Sequence, residues 1–285
     1  VIMLPPTDSL VLTSLSVEGV FLISLNSPSR LNCVSHEVAR RLVIAVDEFE
    51  HNPQAKVAVI HGNGGNFCAG YDLKEVSQAA FPKEDSEFLE NNRFLGPTAR
   101  RLKKPLLAAV EGYAVAGGLE LALLADLRVC STSARFGVFC RRVGVPLIDG
   151  GTVRLPRIVG LGWALELILT GREVGAYEAL QIGLVNKVVR EGKALEEAVK
   201  MARLIASHPQ ACMLTDRNSV YDALSLPLKE ALDNEFENGV SVLAESVKGL
   251  RCVQNNSKLE TGNFRSNQIH PAGEKQNLAA SSSQL

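Results

Sequence analysis

Glu120 is the residue of this chain whose surroundings point most directly to chemistry. It lies in a run that opens with Gly117 and Gly118 and continues with small and apolar residues of good helical propensity. On a helix, its i+3 and i+4 neighbours are Leu123 and Leu124, so little water is expected around it. A carboxylate in such a setting is costly unless it is paired, protonated or used in a reaction. Its place in a first turn, beside unpartnered backbone N–H groups, suits acyl chemistry; complementing the helix dipole or pairing with an arginine is the alternative.

Length and composition bound the class of protein. With 285 residues, 46% of them apolar, we expect one large domain, or one domain with a small appendage. A net charge of −1 gives no field that favours nucleic acid or an anionic membrane. Aromatic residues make up only 5% and do not interleave with basic clusters, which argues against a base-stacking surface. The chain also lacks the run of about 18 apolar residues that spans a bilayer, so we expect neither a nucleic-acid nor a membrane partner.

The cysteines and histidines show no disulfide or metal-site spacing. None of the 6 cysteines forms a C-x-x-C pair, and the 5 histidines are scattered. We therefore expect no metal and a reducing intracellular compartment, either the mitochondrial matrix or the cytoplasm. The first ten residues read as neither a signal nor a transit peptide. The last three residues, Ser283-Gln284-Leu285, resemble only faintly the peroxisomal address Ser-Lys-Leu.

Strand and helix patterns alternate in the first half of the chain and give way to helices in the second. Strands are predicted at residues 10–17, 20–25, 57–61, 106–110, 127–131 and 134–138. In the first half, helices are predicted from the N-cap Ser35 to about residue 50, over 87–103 and around Glu120. From Thr152 onward helices alone are expected, the longer ones over 195–207, 210–224 and 228–247. We expect a core in residues 1–190, a helical C-terminal region in 191–255 and a disordered tail in 256–285, whose composition cannot support packing.

Several motifs together resemble one known family. Residues 66–73 read Asn-Phe-Cys-Ala-Gly-Tyr-Asp-Leu, and residues 103–120 run from Lys-Lys-Pro to Gly-Gly-Leu-Glu. Ala-Arg-Phe-Gly at 134–137 leads to Gly-Gly-Thr-Val-Arg-Leu-Pro at 150–156, and residues 169–172 and 179–185 follow in order. This arrangement, over about residues 10–250, strongly resembles the crotonase family of enoyl-CoA hydratases and isomerases. The resemblance implies an α/β fold, a spiral of β-β-α units with a helical C-terminal extension, and a homotrimer or hexamer.

The resemblance also assigns roles to individual residues. The substrate is expected to be an acyl-CoA thioester, with no cofactor. The backbone N–H groups of Ala69 and Gly117 are expected to bind the thioester oxygen as it gains enolate charge, and Glu120 to act as the principal acid/base. Arg30 is the expected partner of the CoA phosphates. Tyr71 and Leu73 are expected to line the path of pantetheine and adenine.

One position departs from the family pattern. Hydratases of this family use a second glutamate, whose place is taken here by Cys140, and a thiol is a poor substitute for a carboxylate in activating water. Asp149 is a candidate replacement as a partner of Glu120, or else a cap for the helix that begins near Thr152. Hydratase-like chemistry is the first expectation. The alternatives are an isomerase or another enolate-forming acyl-CoA enzyme, and a non-catalytic homologue that binds CoA esters.

Overall fold

The computed structural model describes residues 9–77 and 86–255. Its strands are β1 (Val11–Leu15), β2 (Val20–Leu25), β3 (Val57–Gly62), β4 (Leu106–Val110), β5 (Tyr113–Val115), β6 (Leu127–Ser131), β7 (Arg135–Gly137), β8 (Val174–Gly175) and β9 (Lys187–Val189). Its α-helices are α1 (His36–His51), α2 (Leu73–Ser77), α3 (Ser86–Asn91), α4 (Gly117–Leu124), α5 (Gly151–Val159), α6 (Leu161–Thr170), α7 (Ala176–Gln181), α8 (Ala194–Ser207), α9 (Gln210–Ala223) and α10 (Leu228–Asn255). Short 3-10 helices lie at Pro28–Arg30, Pro97–Ala99 and Phe139–Val143.

Two sheets organise this α/β fold. The larger has the strand order β1-β2-β3-β4-β6-β9, in which β1 and β2 are antiparallel and the remaining neighbours are parallel. The smaller has the order β5-β7-β8, with β5 parallel to β7. The carboxyl ends of β4 and β6 lead into β5 and β7, so the chain passes repeatedly from one sheet to the other. Segments that are distant in sequence are thereby brought together at one edge.

The large sheet is covered by helices on both faces. Alternate residues of β3 divide between two clusters: Ala58 and Ile60 pack in the cluster that contains the buried face of α1, and Val57 and Val59 in the cluster that contains α8. This alternation follows from the period of two along a strand. Alanines recur every four residues on α8 and let that helix lie close to the sheet. The side chain of Ser35 accepts a hydrogen bond from the Val38 N–H, as the N-cap prediction requires.

The predicted helix over 87–103 is wrong. The helix α3 ends at Asn91, and a tight turn follows in which Arg93 and Gly96 exchange backbone hydrogen bonds of 2.9 and 2.8 Å. Gly96 has φ of +84°, and Pro97 follows it, a pair that does not continue a helix. This turn places Leu95 and Thr98 beside the site described below.

The C-terminal half also differs from the expectation of helices alone. Two short strands, β8 and β9, interrupt it, and β9 extends the large sheet beside β6. The predicted boundary between the core and the helical C-terminal region, at residues 190/191, assigns α8 to the C-terminal region. In the structure α8 packs on the large sheet, and α9 packs chiefly against α10. The predicted tail, 256–285, lies outside the described residues. In the described part, no helix is both long and apolar enough to cross a membrane.

Candidate active site

Residues 68–72 lie beside residues 31–34, and the hydrogen bonds between these two segments determine which backbone N–H groups remain available to a ligand. The N–H of Val34 donates to the Gly70 carbonyl at 2.8 Å, and the N–H of Ala69 donates to the Leu31 carbonyl at 3.0 Å. Ala69 therefore has no free N–H for a ligand, and its expected role as an oxyanion donor is corrected. The next inward N–H, that of Tyr71, makes no hydrogen bond to another described residue.

A second unpartnered N–H belongs to Gly117, at the start of α4. The chain leaves β5 through Ala116, which has φ of +52° and ψ of −125°, unusual for a residue with a Cβ. The N–H of Ala116 donates to the Gly137 carbonyl at 2.8 Å, which holds the turn, and the Gly117 N–H finds no acceptor among the described residues. A Cβ added to Gly70 would lie 2.9 Å from the Gly117 nitrogen. The two segments thus touch, with the Tyr71 and Gly117 N–H groups unpartnered on each side of the contact.

Glu120 is buried next to this contact, at 3% exposure. Its Oε1 accepts hydrogen bonds from the Asp149 N–H at 2.9 Å and the Gly151 N–H at 2.8 Å, whereas its Oε2 has no partner among the described residues. Burial raises the pKa of Glu120 to about 7, against the lowering effect of the Gly151 N–H, and the charge of Asp149 adds to the rise. A carboxyl group that has one fixed oxygen and a pKa near neutrality is suited to taking up and releasing a proton.

Asp149 is also buried, at 3% exposure. Its Oδ1 accepts hydrogen bonds from the Leu95 N–H at 2.8 Å and the Thr98 hydroxyl at 2.6 Å. Burial raises the pKa of its carboxyl group. The helix α5 begins after Gly150 and has no side-chain cap, so the helix-cap alternative for Asp149 is wrong.

Cys140 belongs to the same region. It is buried at 7% exposure in the 3-10 helix Phe139–Val143. Burial, and then the charge of Glu120, raises the pKa of its thiol, so the group is neutral at physiological pH. Among the residues that the structure describes, no second glutamate lies beside Glu120; the two carboxyl groups brought together here are those of Glu120 and Asp149.

The residues expected to bind CoA lie on the adjoining surface. Arg30 is half-exposed and forms an ion pair with Asp72. The Tyr71 hydroxyl donates to Glu75 at 2.7 Å, and its ring contacts Phe94 edge-on at 5.8 Å between centroids. Leu73 is 59% exposed.

Sequence reasoning missed two features of this site. The first is the Tyr71 N–H, whose availability depends on a register set by residues almost forty positions earlier. The second is the left-handed pair Leu31 and Asn32, with φ of 50° and 54°. Asn32 carried a usable signal, because asparagine tolerates this conformation; its side-chain amide anchors the carbonyls of Asn63 and Asn66 at 2.9 and 2.7 Å.

Comparison with known proteins gives the same class as the fold and the site. The family model for enoyl-CoA hydratase/isomerase matches residues 16–257. The enoyl-CoA hydratase EchA19 of Mycobacterium tuberculosis is 35% identical over 228 residues, which cover 78% of this chain and 84% of that protein. The short-chain-enoyl-CoA hydratase of Clostridium acetobutylicum is 32% identical over 231 residues, 78% of this chain and 86% of that protein.

A solved structure agrees as well. The crystal structure of enoyl-CoA hydratase EchA1 from Mycobacterium marinum superposes with a TM-score of 0.80 at 31% identity and covers 86% of this chain and 96% of that one. The chain therefore belongs to the enoyl-CoA hydratase/isomerase family, the crotonases, whose members act on acyl-CoA substrates. The predicted family and fold class are confirmed.

Proposed function

We propose that this protein hydrates 2-enoyl-CoA thioesters, with Glu120 as the acid/base. The observation that carries the proposal is the Glu120 carboxyl group, buried beside the unpartnered Gly117 N–H, with Oε1 fixed and its pKa raised to about 7. The names of the similar hydratases support the choice of substrate class.

The thioester oxygen binds between the N–H groups of Tyr71 and Gly117. Negative charge gathers on that oxygen as the enolate forms, and fixed donors aimed at it stabilise the transition state by about 3 kcal/mol each. Tyr71 replaces Ala69 in this proposal because the Ala69 N–H is bonded to Leu31. Water adds its oxygen to the β-carbon, the ionised Glu120 accepts a proton from that water, and the same proton then passes from Glu120 to the α-carbon, which leaves Glu120 ionised again. No cofactor enters this sequence.

Asp149 is the proposed partner of Glu120, holding or relaying the attacking water. Asp149→Asn keeps an oxygen that can accept from Leu95 and Thr98, so the variant should fold. We expect kcat to fall about 10²-fold, because the amide cannot take up a proton. Steady-state kinetics with a circular-dichroism melt provide the measurement. A folded Asp149→Asn with unchanged kcat would reduce Asp149 to an anchor of the turn that contains Leu95 and Thr98.

CoA is proposed to bind along the surface that carries Arg30, Tyr71 and Leu73. Arg30 already pairs with Asp72, so a phosphate has to compete with that carboxylate or share the guanidinium with it. The exposed Leu73 and the half-buried ring of Tyr71 offer apolar contact to pantetheine and adenine.

Cys140 favours a second candidate, an enoyl-CoA isomerase. A neutral thiol at this position cannot take the part of the second glutamate, and Glu120 by itself is enough to move a proton between two carbons. The deciding experiment incubates the purified protein with crotonyl-CoA and a longer 2-enoyl-CoA in water and in D₂O, followed by mass spectrometry. Water addition supports the hydratase. Deuterium at the α-carbon without net hydration supports the isomerase. Neither signal, with CoA esters still bound, supports a non-catalytic binding protein.

We also propose a homotrimer or hexamer held through α10. Leu228, Leu232, Phe236, Val240 and Leu243 form one stripe, spaced by four and three residues and 48–77% exposed. The opposite side of α10 faces α9, where the Asn238 amide donates to Ser219. A stripe of this size on one helix is typical of an interface.

Phe236→Asp is expected to lower the assembly mass measured by light scattering. The buried charge would oppose association, whereas Glu235→Ala, outside the stripe, should leave the mass unchanged. A Phe236→Asp protein of unaltered assembly mass would show that another surface makes the assembly.

We propose a reducing compartment, the mitochondrial matrix or the cytoplasm, for this protein. The name of a relative from Pongo abelii, 36% identical, which describes it as mitochondrial, fits this proposal.

A further inference from the structure

A cavity of about 660 Å³ is lined by residues of α4, α5 and α9. Its lining does not include the candidate site residues Glu120, Asp149, Tyr71, Gly117 and Cys140. Its volume falls in the range of small-molecule sites, about 300–1,000 Å³. The cavity adjoins the reaction centre, because Thr98 and Arg154 on its wall bond to Asp149, but its wall does not include the groups proposed to act on the thioester.

The wall of this cavity carries far more positive than negative charge. Of the described residues, seven arginines line it, and Asp126 is the one carboxylate on the wall. Asp126 is already occupied, because Arg217 and the Tyr221 hydroxyl both bond to it, at 2.9 and 2.6 Å. Two further arginines, Arg100 and Arg101, pair with aspartates that do not line the cavity. The remaining four, Arg93, Arg128, Arg154 and Arg157, form no direct ion pair within the described residues, although Arg93 and Arg154 lie close enough to Asp149 to lower its pKa.

Three of these four arginines, Arg93, Arg128 and Arg154, donate to backbone carbonyl groups, which hold them in place without neutralising them. Arg128 is 4% exposed and donates to the carbonyls of Leu184 at 2.7 Å and Ala125 at 2.6 Å. Burial lowers its pKa to about 10, so it remains charged at neutral pH. Arg154 donates to the carbonyls of Asp149 and Thr98. The charge of Asp126 offsets part of the cost of burying Arg128, and the Nη2 of Arg128 is left with no acceptor in the described part of the chain.

The rest of the wall is apolar. Leu123, Leu124, Val153 and Val220 lie on the wall together with the arginines. A bare inorganic ion would satisfy the charges and leave these side chains against water. An apolar chain attached to the anion covers them and adds favourable burial.

We propose that this cavity binds an amphipathic oxyanion, a carboxylate or phosphate monoester that carries an apolar chain of a few carbons. The oxyanion pairs with Arg128, Arg154 and Arg157, and the chain lies against the apolar wall. The proposed ligand contacts differ from those of the thioester, so the proposal does not depend on which reaction the protein catalyses.

Calorimetric titration of the purified full-length protein with octyl phosphate and with octanoate tests the site. We expect one equivalent to bind per chain, neutral octanol not to bind, and inorganic phosphate to bind at least tenfold more weakly than octyl phosphate. Whichever of octyl phosphate and octanoate binds tighter identifies the headgroup. Equal affinity for inorganic and octyl phosphate would overturn the role of the apolar wall.

Variants and a competitor locate the binding. Arg157→Glu, an exposed substitution compatible with folding, should weaken octyl phosphate about tenfold, and Arg128→Gln should do the same if its melt is unchanged. Arg190→Gln, an exposed arginine outside the lining, should bind as wild type does. Unchanged affinity in Arg157→Glu would overturn the proposal. Displacement of octyl phosphate by saturating butyryl-CoA would also overturn it, because the ligand would then lie in the acyl-CoA site. Binding that appears only after dilution dissociates an assembly would overturn it as well, because a second copy of the chain would then be the occupant of the cavity.

Discussion

Replacing Glu120 by glutamine is expected to lower kcat for a 2-enoyl-CoA by about 10³-fold while the protein remains folded. The amide keeps an oxygen in the place of Oε1, where the Asp149 and Gly151 N–H groups donate, but it cannot exchange a proton at neutral pH. Steady-state kinetics and a thermal melt of the same preparation give the measurement. Glu173→Gln is the matched control, because that exposed glutamate makes a surface ion pair with Arg135 at 3.1 Å and should change little.

The pH dependence provides an independent check of the same residue. In the wild type, kcat/KM should rise as Glu120 ionises, with an apparent pKa near 7, because the ionised form accepts the proton from water. The folded-state pKa of Glu120 exceeds its ordinary value of 4.5, so the native state binds the extra proton and stability falls as pH rises between 4.5 and 7.

Above pH 7 the wild type therefore carries a penalty of about 3 kcal/mol that Glu120→Gln lacks. We expect the variant to gain stability relative to the wild type as pH rises from 5 to 8. Denaturant unfolding at both pH values measures this difference. A difference that does not change with pH would contradict the raised pKa, and an unchanged kcat would remove Glu120 from the mechanism.

Gly70→Ala is expected to lower kcat by about 10²–10³-fold, the usual cost of losing one oxyanion donor. Gly70 has φ of +98°, and the new methyl group would lie 2.9 Å from the Gly117 nitrogen and 3.2 Å from the Ala116 Cβ. The substitution therefore pushes apart the two segments whose N–H groups bind the thioester oxygen. Deuterium exchange at the α-carbon of a saturated acyl-CoA should fall in parallel, since it depends on the same enolate.

Gly65→Ala separates this effect from simple backbone strain. Gly65 has a comparable φ of +81°, but a Cβ there meets nothing within 4 Å. Both variants should lose about 1 kcal/mol of stability from the left-handed conformation, and only Gly70→Ala should lose turnover. Equal activity losses in the two variants would attribute the effect to strain and would count against the oxyanion site proposed here.

Local sequence patterns determined most of the elements. The strands β2, β3 and β4 follow from short β-branched or apolar runs, and α1 from the cap Ser35 and its periodic apolar face. The burial of Glu120 was predictable because its helical neighbours are leucines. The helix predicted over 87–103 fails for a local reason, because Gly96 and Pro97 break it.

The roles of individual site atoms were decided only by the tertiary structure. Ala69 and Tyr71 are two residues apart in one motif, and their N–H groups differ because the Leu31 carbonyl reaches Ala69 alone. Asp149 reads as a helix cap locally, yet its carboxylate binds Leu95 and Thr98, more than fifty residues earlier. Local patterns encode which residues are buried and in what element. The availability of an N–H and the proton affinity of a carboxylate depend on which groups other segments place within about 3 Å, and only the folded chain fixes those distances.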